Sequence, residues 1–129
     1  MIVVDSSVVV DVLSEAVDAA DLRRRLAGEQ LHAPVLLDYE VVSAARRLVS
    51  ARELSEDRVL ELLDDLNAYR IRRWAFDGKF PRRAYQLRHT LTAYDASYIA
   101  LAEALECPLV TRDGHLARSR GHAATIELH

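Results

Sequence analysis

Four acidic residues stand at positions where a carboxylate can do chemistry, and two of them follow short apolar runs. Asp5 comes directly after Ile-Val-Val, and Asp113 follows Leu-Val-Thr-Arg. Both runs are typical of buried strands in a parallel sheet. Sites in open parallel α/β sheets lie beyond the carboxyl ends of the strands. If the two strands are neighbours, both carboxylates lie at the same edge of the sheet.

The other two acids lie on expected helices. Asp95 falls in the first helical turn, where the helix dipole favours an ionised carboxylate. Glu40 lies within the mostly apolar residues 36–45, where an acid is costly unless it is paired. Its structural alternative is an ion pair with Arg46 or Arg47.

Carboxylates that converge cannot all stay ionised without a compensating cation. Ligand sets made only of oxygen select Mg²⁺ or Mn²⁺ over zinc. These ions suit phosphodiester hydrolysis, because they lower the pKa of a bound water and stabilise the departing oxygen. Together the acids therefore predict a site for one or two Mg²⁺ or Mn²⁺ ions.

Three of the acids also have a local structural alternative. Asp5 could simply cap the first helix, and Asp113 with Gly114 could form a turn. Asp95 could be half of a capping box that begins at Thr92. The joint pattern is more specific than any of its members.

The elements that must position these acids alternate along the chain. Strands are expected at residues 2–4, 31–33, 70–76, 109–111 and 123–128. Helices are expected at residues 8–14, 18–28, 34–48, from 55 onward, 81–89 and 92–106. Ser6 and Ser7 are expected to cap the first helix, Pro34 to lie in the first turn of the third, and Ser55 to cap the fourth. This alternation predicts an α/β fold with a mainly parallel central sheet flanked by helices.

Length and composition limit the class of protein. A chain of 129 residues is the usual size of one domain, so residues 1–129 are expected to form one. The single cysteine, Cys107, excludes a disulfide framework and a multi-cysteine zinc site, and it fits a reducing cytoplasm. No apolar run approaches the ~20 residues that span a bilayer, so no membrane association is expected.

Segments along almost the whole chain resemble one family, the PIN-domain ribonucleases, and specifically the VapC-type toxins of bacterial toxin–antitoxin (VapBC) pairs. The matching segments are Val-Val-Asp-Ser-Ser near the start, Pro34 with Glu40 and Arg47, Leu-Thr-Ala-Tyr-Asp-Ala-Ser-Tyr-Ile-Ala-Leu-Ala at residues 91–102, and Leu-Val-Thr-Arg-Asp at residues 109–113. The Leu-Thr-x-Tyr-Asp-Ala stretch is the most specific of these.

The resemblance implies a PIN-like domain whose acidic site consists of Asp5, Glu40, Asp95 and Asp113. It implies Mg²⁺ or Mn²⁺ as cofactor, RNA as substrate, a cognate antitoxin protein as partner, and contact with DNA only through that antitoxin. A homodimer is also expected. The hydroxyl groups of Ser7, Thr92 and Thr111 are expected to support the acids.

A basic segment, residues 70–88, holds seven arginines and lysines against one acid, with aromatic residues between them. Cations for phosphates and rings for unpaired bases fit single-stranded RNA. The alternative is a solvated face whose aromatic residues point to the core. The expected RNA-binding residues are Arg72, Arg73, Arg82, Arg83 and Arg112.

Two other classes of protein compete with a nuclease. A phosphoacceptor receiver domain would need a second acid beside Asp5 and a late lysine, but the only lysine is Lys79. A non-catalytic PIN-like scaffold would typically have lost acids, whereas all are present here. Ser7 excludes an Asp-x-Asp phosphatase.

An antitoxin is expected to inhibit by placing an Arg or Lys among the four acids, in place of the metal's charge. A groove between the early helices, near Val9, Val12 and Leu13, is expected to receive an amphipathic helix of that partner. The alternative is that these apolar side chains belong to the core.

Overall fold

Strands and helices alternate through residues 1–129, all of which are described in this computed structural model. The elements are β1 (Ile2–Val4), α1 (Ser6–Leu13), α2 (Ala20–Leu26), β2 (Leu31–Pro34), α3 (Leu36–Ser50), α4 (Glu56–Ala68), β3 (Ile71–Trp74), α5 (Phe80–Gln86), α6 (Ala93–Leu105), β4 (Leu109–Thr111), α7 (Gly114–Ala117) and β5 (Ile126–Leu128).

All five strands form one parallel sheet in the order β3-β2-β1-β4-β5. Parallel connections are right-handed, so α1 to α4 cover one face and α5 to α7 cover the other. Contacts of α1 with α3 and of α5 with α6 agree with this arrangement. The chain reverses its direction across the sheet between β1 and β4. That reversal opens the crevice where sites of open α/β sheets lie.

The predicted α/β class with a parallel sheet is confirmed, and so is the pairing of the strands that precede Asp5 and Asp113. In the β1–β4 pair, Val4 lies opposite Val110. The predicted cap of α4 is also confirmed, because the Ser55 hydroxyl accepts a hydrogen bond from the backbone N–H of Arg58 at 3.1 Å.

Three local predictions were wrong. Asp5, rather than Ser6 or Ser7, caps α1, because its carboxylate accepts from the backbone N–H of Val8. Pro34 ends β2 instead of starting α3; it lies opposite Trp74 at the strand end, where a missing N–H costs little. The short helix α7 was not expected, because Asp113 and Gly114 indicated only a turn.

The core lies on both sides of the sheet and includes the early helix α1. Val9 is 0% exposed, and Val12 and Leu13 are each 8% exposed. The expected partner groove at these residues is therefore wrong, because their side chains fill the interior. On the other face, every residue of the segment 96–102 in α6 is buried, since α6 lies between the sheet and α5. None of the helices combines the length and the apolar character that crossing a membrane requires.

The helix α4 packs against the core through a small apolar face, and replacing a residue of that face tests this packing. Leu62 is 0% exposed, whereas Leu60 on the same helix is 62% exposed. We expect Leu62→Ala to lower the free energy of unfolding by about 2–5 kcal/mol, because it leaves a cavity. The control Leu60→Ala should change it by less than about 0.5 kcal/mol. Urea unfolding with an unchanged m-value measures both, and equal losses would show that α4 does not pack as described.

Candidate active site

The four acids meet at the carboxyl edge of the sheet. Asp5 follows β1, and Asp113 lies two residues after the paired strand β4. Asp95 comes from the first turn of α6, and Glu40 from α3. Their charges interact, because Asp113 acts on Asp5 and on Asp95, while Asp5 and Asp95 both act on Glu40. The structure thus brings together all four acids that the sequence singled out.

Asp5 is the most enclosed of these acids, at 5% exposed, and two hydroxyl groups hold it. The Ser7 hydroxyl donates to its Oδ1 at 2.6 Å, and the Thr111 hydroxyl donates to its Oδ2. Each hydroxyl oxygen in turn accepts a backbone N–H, that of Arg112 at 3.0 Å for Ser7 and that of Asp113 at 2.9 Å for Thr111. This arrangement ties the end of β1 to the end of β4.

Glu40 is half-buried and is held by a residue that the sequence analysis did not single out. The hydroxyl of Tyr98 donates to Glu40 Oε1 at 2.7 Å. Neither Arg46 nor Arg47 forms an ion pair with Glu40. In the sequence, the role of Tyr98 was indicated only by its position three residues after Asp95, on the helix expected at residues 92–106.

Asp95 and Asp113 are bound mainly by local contacts. The Thr92 hydroxyl accepts from the backbone N–H of Asp95 at 3.2 Å, so Thr92 caps α6 as expected. The carboxylate of Asp113 accepts from the backbone N–H of His115 at 2.7 Å. His115 also lies near Asp95, where its protonated form favours the ionised carboxylate.

Burial raises the pKa of three of the acids, Asp5, Glu40 and Asp95. Hydrogen bonds from Ser7, Thr111 and the backbone lower the pKa of Asp5 in part, and the bond from Tyr98 does so for Glu40. Neighbouring carboxylates raise the pKa of each acid further, because like charges repel. The site therefore carries negative charge that the protein offsets only in part, through Arg47 near Glu40 and His115 near Asp95.

Ion pairs are frequent elsewhere in the molecule, yet none involves the four acids. The donor set fits Mg²⁺ or Mn²⁺, because it offers only carboxylate and hydroxyl oxygens. No three His, Cys, Asp or Glu side chains are arranged to enclose a metal ion. A ligand cage is not required for Mg²⁺, which keeps several waters and is often held by one or two carboxylates.

Three of the five arginines expected to bind RNA are engaged in ion pairs. Arg73 contacts Asp38, with 2.8 Å between Nη2 and Oδ1. Arg83 holds Glu103 through two bonds of 2.7 and 2.8 Å.

Arg112 bridges Asp11 and Asp18. The guanidinium of Arg72 lies 4.5 Å from the ring centre of Trp74. Arg82 forms no ion pair, so its charge is directed to solvent.

Three exposed aromatic side chains line an apolar cavity of about 240 Å³. They are Tyr39, Phe76 and Tyr94, and they are 75%, 44% and 65% exposed. Tyr39 precedes Glu40 and Tyr94 precedes Asp95 in the chain. Only Phe76 belongs to the basic segment from which the sequence predicted stacking.

The protein is an open parallel α/β sheet. Its acidic edge lies where the chain reverses its direction across the sheet, between β1 and β4, and this arrangement defines the structural class. The PIN domain profile matches residues 2–121. The chain therefore belongs to the PIN domain family. It is 44% identical over 128 residues to Ribonuclease VapC12 of Mycobacterium tuberculosis, which covers 99% of this chain and 98% of that protein.

Two further comparisons agree with this assignment. Ribonuclease VapC1 of Mycobacterium tuberculosis is 41% identical over 127 residues, covering 98% of this chain and 96% of that protein. The crystal structure of VapBC2 from Rickettsia felis bound to a DNA fragment from their promoter superposes with a TM-score of 0.70. That match covers 100% of this chain and 99% of the other at 15% identity, so it shows the shared fold.

The repulsion among the acids predicts how stability depends on pH. Glu40 and Asp95 have raised pKa values in the folded state, so the stability they contribute is present below their ordinary pKa of about 4 and is lost as pH rises through the folded pKa. In EDTA at pH 7.5 we expect Glu40→Gln and Asp95→Asn to melt higher than wild type. The gain should be at most about 1 kcal/mol, since both groups are partly exposed.

Near pH 4 the advantage of both variants should disappear. The matched control is Asp64→Asn, which replaces an exposed and unpaired acid of α4 and should not change the melting temperature. Thermal melts monitored by circular dichroism measure all three. A lower melting temperature for both site variants at pH 7.5 would contradict repulsion among the acids.

Proposed function

We propose that this protein is a Mg²⁺- or Mn²⁺-dependent endoribonuclease that acts in the cytoplasm as the toxin of a toxin–antitoxin pair. The observation that carries the proposal is the acidic edge itself. None of its four carboxylates forms an ion pair, and those of Asp5 and Glu40 are held by neutral hydroxyl groups. Several acids elsewhere in the chain are paired with arginines. Negative charge maintained in this way favours a divalent cation from solvent.

Asp5, Glu40, Asp95 and Asp113 are the residues that would hold the cation. When bound, a divalent cation supplies an activated water and stabilises the departing oxygen of a phosphodiester. The chain keeps Asp5 in one orientation through Ser7 and Thr111 and keeps Glu40 in place through α3. Asp95 and Asp113 are more exposed than Asp5.

The exposed rings of Tyr39, Phe76 and Tyr94 support RNA as the substrate. Unpaired bases stack on aromatic side chains, with about 1–3 kcal/mol for each base. Two of the rings, Tyr39 and Tyr94, directly precede Glu40 and Asp95 in the chain, which supports a stacked base within reach of the acidic edge. This geometry favours single-stranded RNA over a duplex, whose bases are already stacked.

An antitoxin is the proposed protein partner, and the names of the structural relatives as VapBC complexes support this. An Arg or Lys of that partner would neutralise the acidic edge as the metal does. The helix of the partner must dock elsewhere than on Val9, Val12 and Leu13, which are core residues. Contact with DNA through the antitoxin and a homodimer stay predictions. Sedimentation velocity of the chain alone tests the homodimer, and that of the co-expressed pair with and without a DNA fragment tests contact with DNA.

Loss of the Asp5 charge should abolish cleavage. We expect Asp5→Asn to lower the rate on single-stranded RNA with Mg²⁺ or Mn²⁺ by at least about 100-fold, because the amide keeps the shape but not the charge. EDTA should do the same to wild type, whereas Asp64→Asn should cleave normally. A gel assay with end-labelled RNA measures the rates. Antitoxin binding without any cleavage by wild type would favour the alternative, a non-catalytic PIN-like scaffold.

Arg82 and Arg83 are neighbours on α5, and replacing each one distinguishes a role in RNA binding from a role in stabilising the fold. Arg82→Ala should weaken binding of single-stranded RNA and reduce the slope of log affinity against log salt by about 0.7, the contribution of one phosphate contact. Arg83→Ala should leave that slope unchanged and lower the melting temperature, because Arg83 is already paired with Glu103. Filter binding in an Asp5→Asn background measures affinity without cleavage. The assignment of Arg82 fails if its removal leaves the slope as it was.

A further inference from the structure

The hydroxyl of Tyr98 is the only hydrogen-bond donor to the Glu40 carboxylate, and it comes from another helix. The two residues are 58 positions apart in the chain and 2.7 Å apart in the structure. The donor contacts Oε1 only, so Oε2 remains free to bind a ligand at the acidic edge. Because the Glu40 side chain has three rotatable bonds, a single fixed donor greatly restricts where its carboxylate lies.

The phenol holds Glu40 without cancelling its charge. A salt bridge to Arg47, which is only near enough to act through its charge, would have neutralised the carboxylate. A neutral hydroxyl orients the carboxylate and leaves it negative, as Ser7 and Thr111 do for Asp5. The shared pattern is orientation of a carboxylate by neutral donors, which bring no positive charge next to it.

Tyr98 itself has no freedom to move. It is 2% exposed and lies in the fully buried part of α6. Asp95 lies three residues earlier on the same helix, so the two side chains are neighbours on its surface. One rigid helix therefore supplies one acid directly and fixes the position of another.

We infer that Tyr98 is a positioning residue that holds the Glu40 carboxylate ready for a divalent cation, an inference that rests on the function proposed above. Its hydroxyl acts on the cation only through Glu40. Groups that orient metal ligands typically change metal affinity or activity by about 10–100-fold when they are removed. The hydroxyl of Tyr98 should therefore affect metal affinity more than it affects binding of RNA.

The test is Mn²⁺ binding measured by isothermal titration calorimetry on the full chain. Tyr98→Phe removes one oxygen and keeps the ring that fills the core. It should weaken Mn²⁺ binding by about 10-fold or more. The matched control, Tyr69→Phe, removes a hydroxyl at the end of α4, just before β3 begins and therefore at the edge of the sheet opposite the acids, and it should bind Mn²⁺ as wild type does.

A double variant distinguishes action through Glu40 from a general loss of structure. Tyr98→Phe combined with Glu40→Gln should bind Mn²⁺ no more weakly than Glu40→Gln alone, because the hydroxyl then has no carboxylate to orient. In cleavage assays, higher Mn²⁺ should restore most of the kcat of Tyr98→Phe, and the KM for RNA should stay unchanged. Additive losses in the double variant would overturn the inference.

Two outcomes separate this inference from the proposed function. If wild type binds no Mn²⁺, the metal-dependent function fails and the inference fails with it. If wild type and Tyr98→Phe bind Mn²⁺ equally, the inference alone is overturned. Should Tyr98→Phe melt at a much lower temperature than wild type, Glu40→Asp replaces it in the test. That variant keeps the charge but withdraws the carboxylate from the hydroxyl, and it should lose the same affinity.

Discussion

The link between the ends of β1 and β4 at the carboxylate of Asp5 is the interaction on which the site depends. Asp5 closes the central strand, caps α1 and accepts from hydroxyls of both chain segments. A buried carboxylate with fewer donors would be protonated or would destabilise the fold. The donors Ser7 and Thr111 are themselves fixed by consecutive backbone N–H groups after β4. The fold and the acidic edge therefore depend on each other, because the Asp5 carboxylate lies where β1 and β4 must pair.

The acidic edge differs from the rest of the molecule in how its charges are compensated. The carboxylates of Asp5 and Glu40 at the edge are bound by neutral donors, whereas several carboxylates away from it form ion pairs. Away from the site, arginines neutralise acids and tie elements together, as Arg83 does for α5 and α6. At the edge, no cationic side chain of the protein forms such a pair. Burial first, and then repulsion among the carboxylates, raises the pKa of Asp5, Glu40 and Asp95 and costs stability in the absence of a cation. That cost is the physical reason why a cation or a cationic partner group would bind here.

The basic segment shows how tertiary structure changes the meaning of a charge pattern. Along the chain, the arginines at residues 70–88 look alike. In the structure, Arg73 is bound by Asp38, Arg72 lies on Trp74, and Arg82 faces solvent. Two of the three exposed rings proposed to stack on bases, Tyr39 and Tyr94, lie outside this segment. A surface assembled from separate elements has no single signature in the chain.

The sequence alone determined what depends on local pattern. Apolar runs that end in Asp5 and Asp113 predicted strands with acids at one edge, and Ser55 and Thr92 predicted helix starts, because a cap acts within three or four residues. Only the tertiary structure decided which distant groups meet. Thr111 reaches Asp5 across 106 residues, and Tyr98 reaches Glu40 across 58. No periodicity records such contacts, because they arise from the order of strands in the sheet and from the packing of α6 against it.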